Sequence, residues 1–150
     1  MSLVQIILVV IVAFIIGCSS VNDQIETYQP VVACSLIGLV TGHLELGVML
    51  GGSLQLITMG WANVGAAMAP DASLAAVAST IILILGGQGA KGIGPAIALA
   101  VPLAVAGLAL TMFVRTATVF IAHAMDSRAE AADIAGIERW HFIGMALQGL

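Results

Sequence analysis

Between Glu45 and Arg115 the chain carries formal charge at only two positions, Asp71 and Lys91. No other feature restricts the fold as much. A soluble domain needs charged side chains over its whole surface, about a quarter of all residues. Here 8% of the 150 residues are charged and 61% are hydrophobic. Such a chain cannot cover a water-facing globule, and its natural solvent is a bilayer. Four Lys and Arg residues and a net charge of −4 also argue against nucleic acid, which calls for a basic face.

The apolar segments differ in length. A spanning helix needs about 20 predominantly apolar residues. Residues 3–17 with their flanks come near that length, and the lack of a basic n-region predicts a membrane helix rather than a cleaved signal. A polar loop follows, carrying Asn22, Asp23, Gln24 and Glu26 and ending at Gln29-Pro30. Pro30 suits the first position of a helix, where its missing N–H costs nothing. Residues 31–42 and 46–60 are each too short to span and are punctuated by Gly38, Gly42, Gly47, Gly51 and Gly52. Short, glycine-interrupted apolar segments predict half-helices or re-entrant hairpins, tolerated where protein or water covers the freed backbone groups. One kinked helix over 31–60 is the alternative. Residues 72–85 form another short segment, 86–92 a glycine-rich loop, and 93–114 an uncharged span with Pro95 near its start and Pro102 within it, a predicted kink. Arg115 and His123 place its far end near an interface. Residues 126–138 read as a solvated connection, Trp140 as an interfacial anchor, and 142–150 as the start of a further apolar segment. The expected architecture is an all-α, polytopic integral membrane protein with broken or re-entrant helices, a single membrane domain over residues 1–150.

Most motifs dissolve on inspection. Residues 87–92 match GxGxxG, but that pattern has force only between a strand and a helix, and both flanks here are membrane segments. His43, His123 and His141 have no partners at ligand spacing, so no metal is expected. Cys18 and Cys34 lack any CxxC spacing and read as small apolar side chains.

The stretch GWANVGAAMAPDASL, residues 60–74, is different. An ionised Asp near the membrane middle costs roughly 2.5 to 3.5 kcal/mol on insertion scales, so it needs water, a partner or a ligand. Asp71 follows Pro70 at the expected first turn of the 72–85 helix, where a carboxylate gains from the helix dipole and free N–H groups. Asn63 offers a donor and an acceptor, Gln55 the same, and Asp71 two acceptor oxygens, a set that suits the vicinal hydroxyls of a sugar. Trp61 has a face for a sugar ring. Polar groups beside broken helices are the layout of a transporter site, with Gly65 and its alanine neighbours as the unwound backbone. The candidate binding residues are Asn63, Asp71, Gln55, Trp61 and Ser53, with none catalytic and no cofactor.

QPVVACSLIGLVTGHLELGVMLGGSLQLITMGWANVGAAMAPDASLA at residues 29–75 and AIALAVPLAVAGLALTMFVRT at residues 96–116 resemble the IIC membrane subunit of the mannose-family sugar phosphotransferase system, and the likeness runs along the whole chain. APDA at 69–72 resembles the mannose/glucose branch. The resemblance implies a hexose-translocating subunit paired with a IID membrane subunit in a trimer of such pairs. It implies a soluble IIAB protein that relays phosphate, so that phosphoryl transfer belongs to partners. It implies a bacterial cell-membrane location and sugar contacts from Gln55, Asn63 and Asp71, Gln55 standing where relatives carry Glu. Family subunits continue beyond the position of Leu150, so this chain reads as the N-terminal part of a longer one. The rival expectation is a non-transporting scaffold or receptor, for example for a bacteriocin.

Overall fold

The computed structural model describes residues 2–22, 26–64 and 67–149, and the side chains of 20–22 are outside that description. Asp23, Gln24, Gly65, Ala66 and Leu150 therefore lie outside the described residues. Among the described residues six α-helices follow in order: α1 (Leu3–Asn22), α2 (Pro30–Thr41), α3 (Leu44–Thr58), α4 (Ala72–Gly86), α5 (Ile93–Glu130) and α6 (Ile134–Gly149). A short 3-10 turn, Gly89–Gly92, leads into α5. Among the described residues the one β feature is an isolated bridge between Val64 and Ala67.

The expected break near Gly42 is real, and one kinked helix over 31–60 is excluded. Gly42 ends α2 with φ +79°, and its amide and that of His43 return to the carbonyls of Leu39 and Gly38. That left-handed cap reverses the chain at a residue without a Cβ. α2 has 12 residues and α3 has 15, so they rise only about 18 and 22 Å, against a hydrocarbon core of about 30 Å. Each falls well short of a span and is folded back on the other. The hairpin packs closely because a Cβ added to Gly47 would run into the Cys34 carbonyl. With no hydrophobic drive between helices in lipid, such backbone approach is how they gain contact.

Two boundaries differ from the sequence reading. The helix expected over 93–114 runs on to Glu130, so much of the expected solvated connection at 126–138 is helical. Ala122, Ala124, Arg128, Ala129 and Glu130 are strong helix formers, and the charges of Asp126, Arg128 and Glu130 change what faces outward without ending the helix. The actual break is the turn at Ala131 to Asp133, with Ala132 at φ +53°. Pro102 lies inside continuous α5, and Pro95 sits in its first turn, where no N–H is required. The glycine-rich 86–92 segment is shorter than a free loop: Gly87 caps α4 at φ +62°, and the 3-10 turn begins two residues later.

Among the described residues, only the stretch Gly89–Glu130 is both long and apolar enough to cross a bilayer unaided. Its inner face is a small-residue stripe, Ala96, Ala100, Ala104 and Gly107, all buried, and α4 packs on it. Its outer face is apolar too, with Phe113 72% and Phe120 73% exposed. A helix that is apolar on both faces belongs in lipid or against other membrane helices.

Candidate functional site

Between α3 and α4 the described residues are 59–64 and 67–71. The Trp61 amide donates to the Thr58 carbonyl (2.8 Å), closing α3. Val64 and Ala67 exchange two backbone bonds of 3.0 and 3.1 Å. Asn63 then ties the returning strand: its Oδ1 accepts the Ala69 amide at 2.8 Å. Because a backbone N–H can only donate, this contact fixes the amide's orientation, and among the described residues it leaves the two Nδ2 donors without a protein acceptor. The described parts of this connection are non-helical, as expected of backbone between the short helices, and Gly65 of that expectation lies outside the described residues.

Asp71 is the N-cap of α4. Its Oδ1 accepts from the Ser73 amide (3.0 Å), the Leu74 amide (3.0 Å) and the Ser73 hydroxyl (2.6 Å). Its own amide donates to the Ala104 carbonyl on α5 at 2.9 Å. Its Oδ2 accepts from Thr111 Oγ1 at 3.0 Å. One oxygen thus serves the helix start and the other faces α5.

Gln55, on α3, sits at the start of α2. Its Oε1 accepts the Val31 amide (3.3 Å), and its Nε2 donates to Gln29 Oε1 (2.7 Å). Gln29 in turn donates to Glu26 Oε2 at 3.1 Å. Since Pro30 has no N–H, Val31 carries the first orphan donor of α2, and Gln55 satisfies it from a neighbouring helix.

These elements surround a cavity of about 950 Å³ whose wall includes Gln55, Trp61, Asn63 and Asp71. Ser53 lies outside that wall: its hydroxyl donates to the Met49 carbonyl one turn back (2.9 Å). Two residues apart on one helix, Ser53 and Gln55 point to different faces. His43, His123 and His141 are also absent from the wall.

The far wall comes from α5 and was not assembled by sequence reasoning. Thr111, Arg115 and Thr118 recur along one face of α5 and line the cavity. Their spacing of four and three in an otherwise uncharged run was a visible signal, but Arg115 was read as an interface residue. Arg115 forms no ion pair among the described residues. The cavity therefore offers donors from Asn63, Trp61 and Arg115, and an acceptor at Asp71 Oδ2. Mixed donors and acceptors beside an aromatic ring match a polyol, whose hydroxyls both give and take hydrogen bonds.

Half-length apolar helices, a folded break between two of them, and a polar cavity at that break define an all-α integral membrane protein with broken helices. The family described as the sorbose-specific IIC component of the phosphotransferase system matches residues 3–150, and the chain belongs to it. It is 53% identical over 150 residues to the fructose permease IIC component of Bacillus subtilis (strain 168), covering 100% of this chain and 55% of that protein. The mannose-specific EIIC component of Escherichia coli (strain K12) is 46% identical over 97% of this chain and 54% of its own length. A cryoEM structure of the mannose transporter ManYZ with microcin E492 contains a chain of the same fold. That match has a TM-score of 0.92 and 45% identity, and covers 99% of this chain and 59% of that one. The chain spans about half the length of the curated relatives it matches.

Proposed function

We propose that the chain serves hexose translocation as part of the IIC subunit of a mannose-type phosphotransferase system. The observation that carries this reading is the polar cavity at the α3–α4 break, set in an otherwise apolar fold. Fructose, mannose and sorbose, named for the relatives, are all hexoses. Asn63 Nδ2 and Asp71 Oδ2 are the groups assigned to sugar hydroxyls, and Trp61 to the ring face. Gln55 acts indirectly, by holding the start of α2 in the cavity wall. Ser53 has no assigned contact.

The working assembly is a IIC–IID pair, three pairs to a complex, in the bacterial cytoplasmic membrane, with several crossings per subunit. A soluble IIAB protein supplies the phosphoryl group, and this chain presents the sugar to it. Translocation proceeds by alternating access, the α3–α4 loop and its half-helices moving against a more static part. The scaffold or receptor alternative leaves the cavity and its free donors without a purpose.

Hexose titration of the chain in its membrane complex, wild type against Asn63→Ala and Asp71→Asn, tests the reading. Both substitutions are expected to weaken binding at least about tenfold, as loss of hydrogen bonds to a bound ligand does. Unchanged affinity in both would sink it.

A further inference from the structure

The Thr111 hydroxyl has one proton and two acceptors at equal distance. Oγ1 lies 3.0 Å from Asp71 Oδ2 and 3.0 Å from the Gly107 carbonyl one turn back on α5. A hydroxyl donates to one of them at a time. Bonding back to the preceding turn is the ordinary choice of a mid-helix threonine. Thr116 and Thr118, further along α5, take it, donating to the carbonyls of Met112 and Val114. Thr111 has a second choice because Asp71 lies over this turn, at a place only a glycine leaves open: a Cβ on Gly107 would stand 2.7 Å from Asp71 Cβ.

The other half of the carboxylate is committed. Oδ1 takes three donors from the first turn of α4. Oδ2 is what remains, and Thr111 is its protein donor among the described residues. Asp71 and Thr111 both line the cavity.

We infer that Thr111 is a positioning residue for ligand recognition, holding Asp71 Oδ2 in the cavity wall. With the Thr111 proton on Oδ2, the oxygen is held and keeps one acceptor position open for a ligand hydroxyl. With the proton turned to Gly107, Oδ2 loses its donor on α5. The ligand class is a polyol, and the inference rests on the reading of this cavity as a hexose site.

The test is hexose titration of the chain in its membrane complex. The variants are Thr111→Ser, Thr111→Val, Thr111→Ala and Asp71→Asn, each also measured with a series of monodeoxy hexoses. Thr111→Ser is expected to bind within about twofold of wild type, and Thr111→Val and Thr111→Ala about tenfold more weakly, the scale of one hydrogen bond to a charged group. In the wild type one deoxy position, that of the hydroxyl on Oδ2, carries the largest penalty. In the variants without the Thr111 hydroxyl that penalty shrinks because the oxygen is no longer held, a change that loss of packing alone does not produce. Wild-type affinity in Thr111→Val and Thr111→Ala, with Asp71→Asn still impaired, overturns the role of Thr111 and leaves the hexose site standing. Wild-type affinity in Asp71→Asn removes the carboxylate from the site, and the inference with it. A failure of both Thr111→Val and Thr111→Ala to assemble, or a Thr111→Ser variant as weak as Thr111→Ala, makes the residue structural and equally overturns the inference.

Discussion

A methyl group added to Gly107 would stand 2.7 Å from the Cβ of Asp71. The carboxylate that caps α4 therefore owes its place against α5 to the absence of one side chain there. Two bonds hold the contact, from the Asp71 amide to the Ala104 carbonyl and from Thr111 to Oδ2. Together they pin the α3–α4 loop to the middle of the long helix.

Gly107→Ala is expected to push the two elements apart and destabilise the complex by about 1–3 kcal/mol, the usual cost of overpacking. Thermal unfolding in detergent measures it. Gly94→Ala on the same helix, where nothing lies within 4 Å of the new Cβ, is the control and should hold or raise stability.

Substitutions at Asp71 should separate capping from binding. Asp71→Asn keeps an oxygen for the Ser73 and Leu74 amides, so stability stays near wild type while hexose affinity falls. Asp71→Ala also loses the cap and should cost about 1 kcal/mol in addition. Equal melting temperatures for the two variants would show that the cap contributes nothing.

The Gln55 amide satisfies the Val31 N–H and Gln29 at once. Gln55→Leu should take the side-chain acceptor from the Val31 N–H and the Gln55 donor from Gln29 Oε1 and cost about 1–3 kcal/mol, seen as faster hydrogen exchange at the start of α2. Gln55→Glu retains an acceptor for Val31 and should protect that amide nearly as well. Exchange at Val31 that is the same in all three proteins would contradict the capping role.

Gly47→Ala should disrupt the α2–α3 hairpin, because the new Cβ meets the Cys34 carbonyl, backbone that cannot rotate away. The expected result is reduced yield of assembled complex. Gly52→Ala, with open space at its Cβ, should gain up to about 1 kcal/mol from the better helix former. Comparable yields from the two variants would refute close packing of this hairpin.

Much of the fold was readable from local pattern. Pro30 at a helix start, Gly42 at a helix end and Asp71 at a cap are each decided by backbone chemistry within a few residues. The length of α5 was missed because the charges of 126–138 were taken as a break, whereas Ala122, Ala124, Arg128, Ala129 and Glu130 are strong helix formers that carry the helix on to Glu130. Ser53 was placed with Gln55 by nearness in sequence, and the turn of α3 separates them.

The sequence by itself determined that this chain belongs in a membrane, that its helices are interrupted before Asp71, and that costly polar groups collect at the interruption. Those properties depend on composition and on contacts within a turn or two of helix. Only the tertiary structure brought Thr111 to Asp71, 40 residues apart, and placed Arg115 in the same wall. It also showed that one carboxylate oxygen is consumed by its own helix and the other accepts from Thr111 in the cavity wall. That division depends on how α4 lies along the small-residue face of α5, a packing choice that no local pattern encodes.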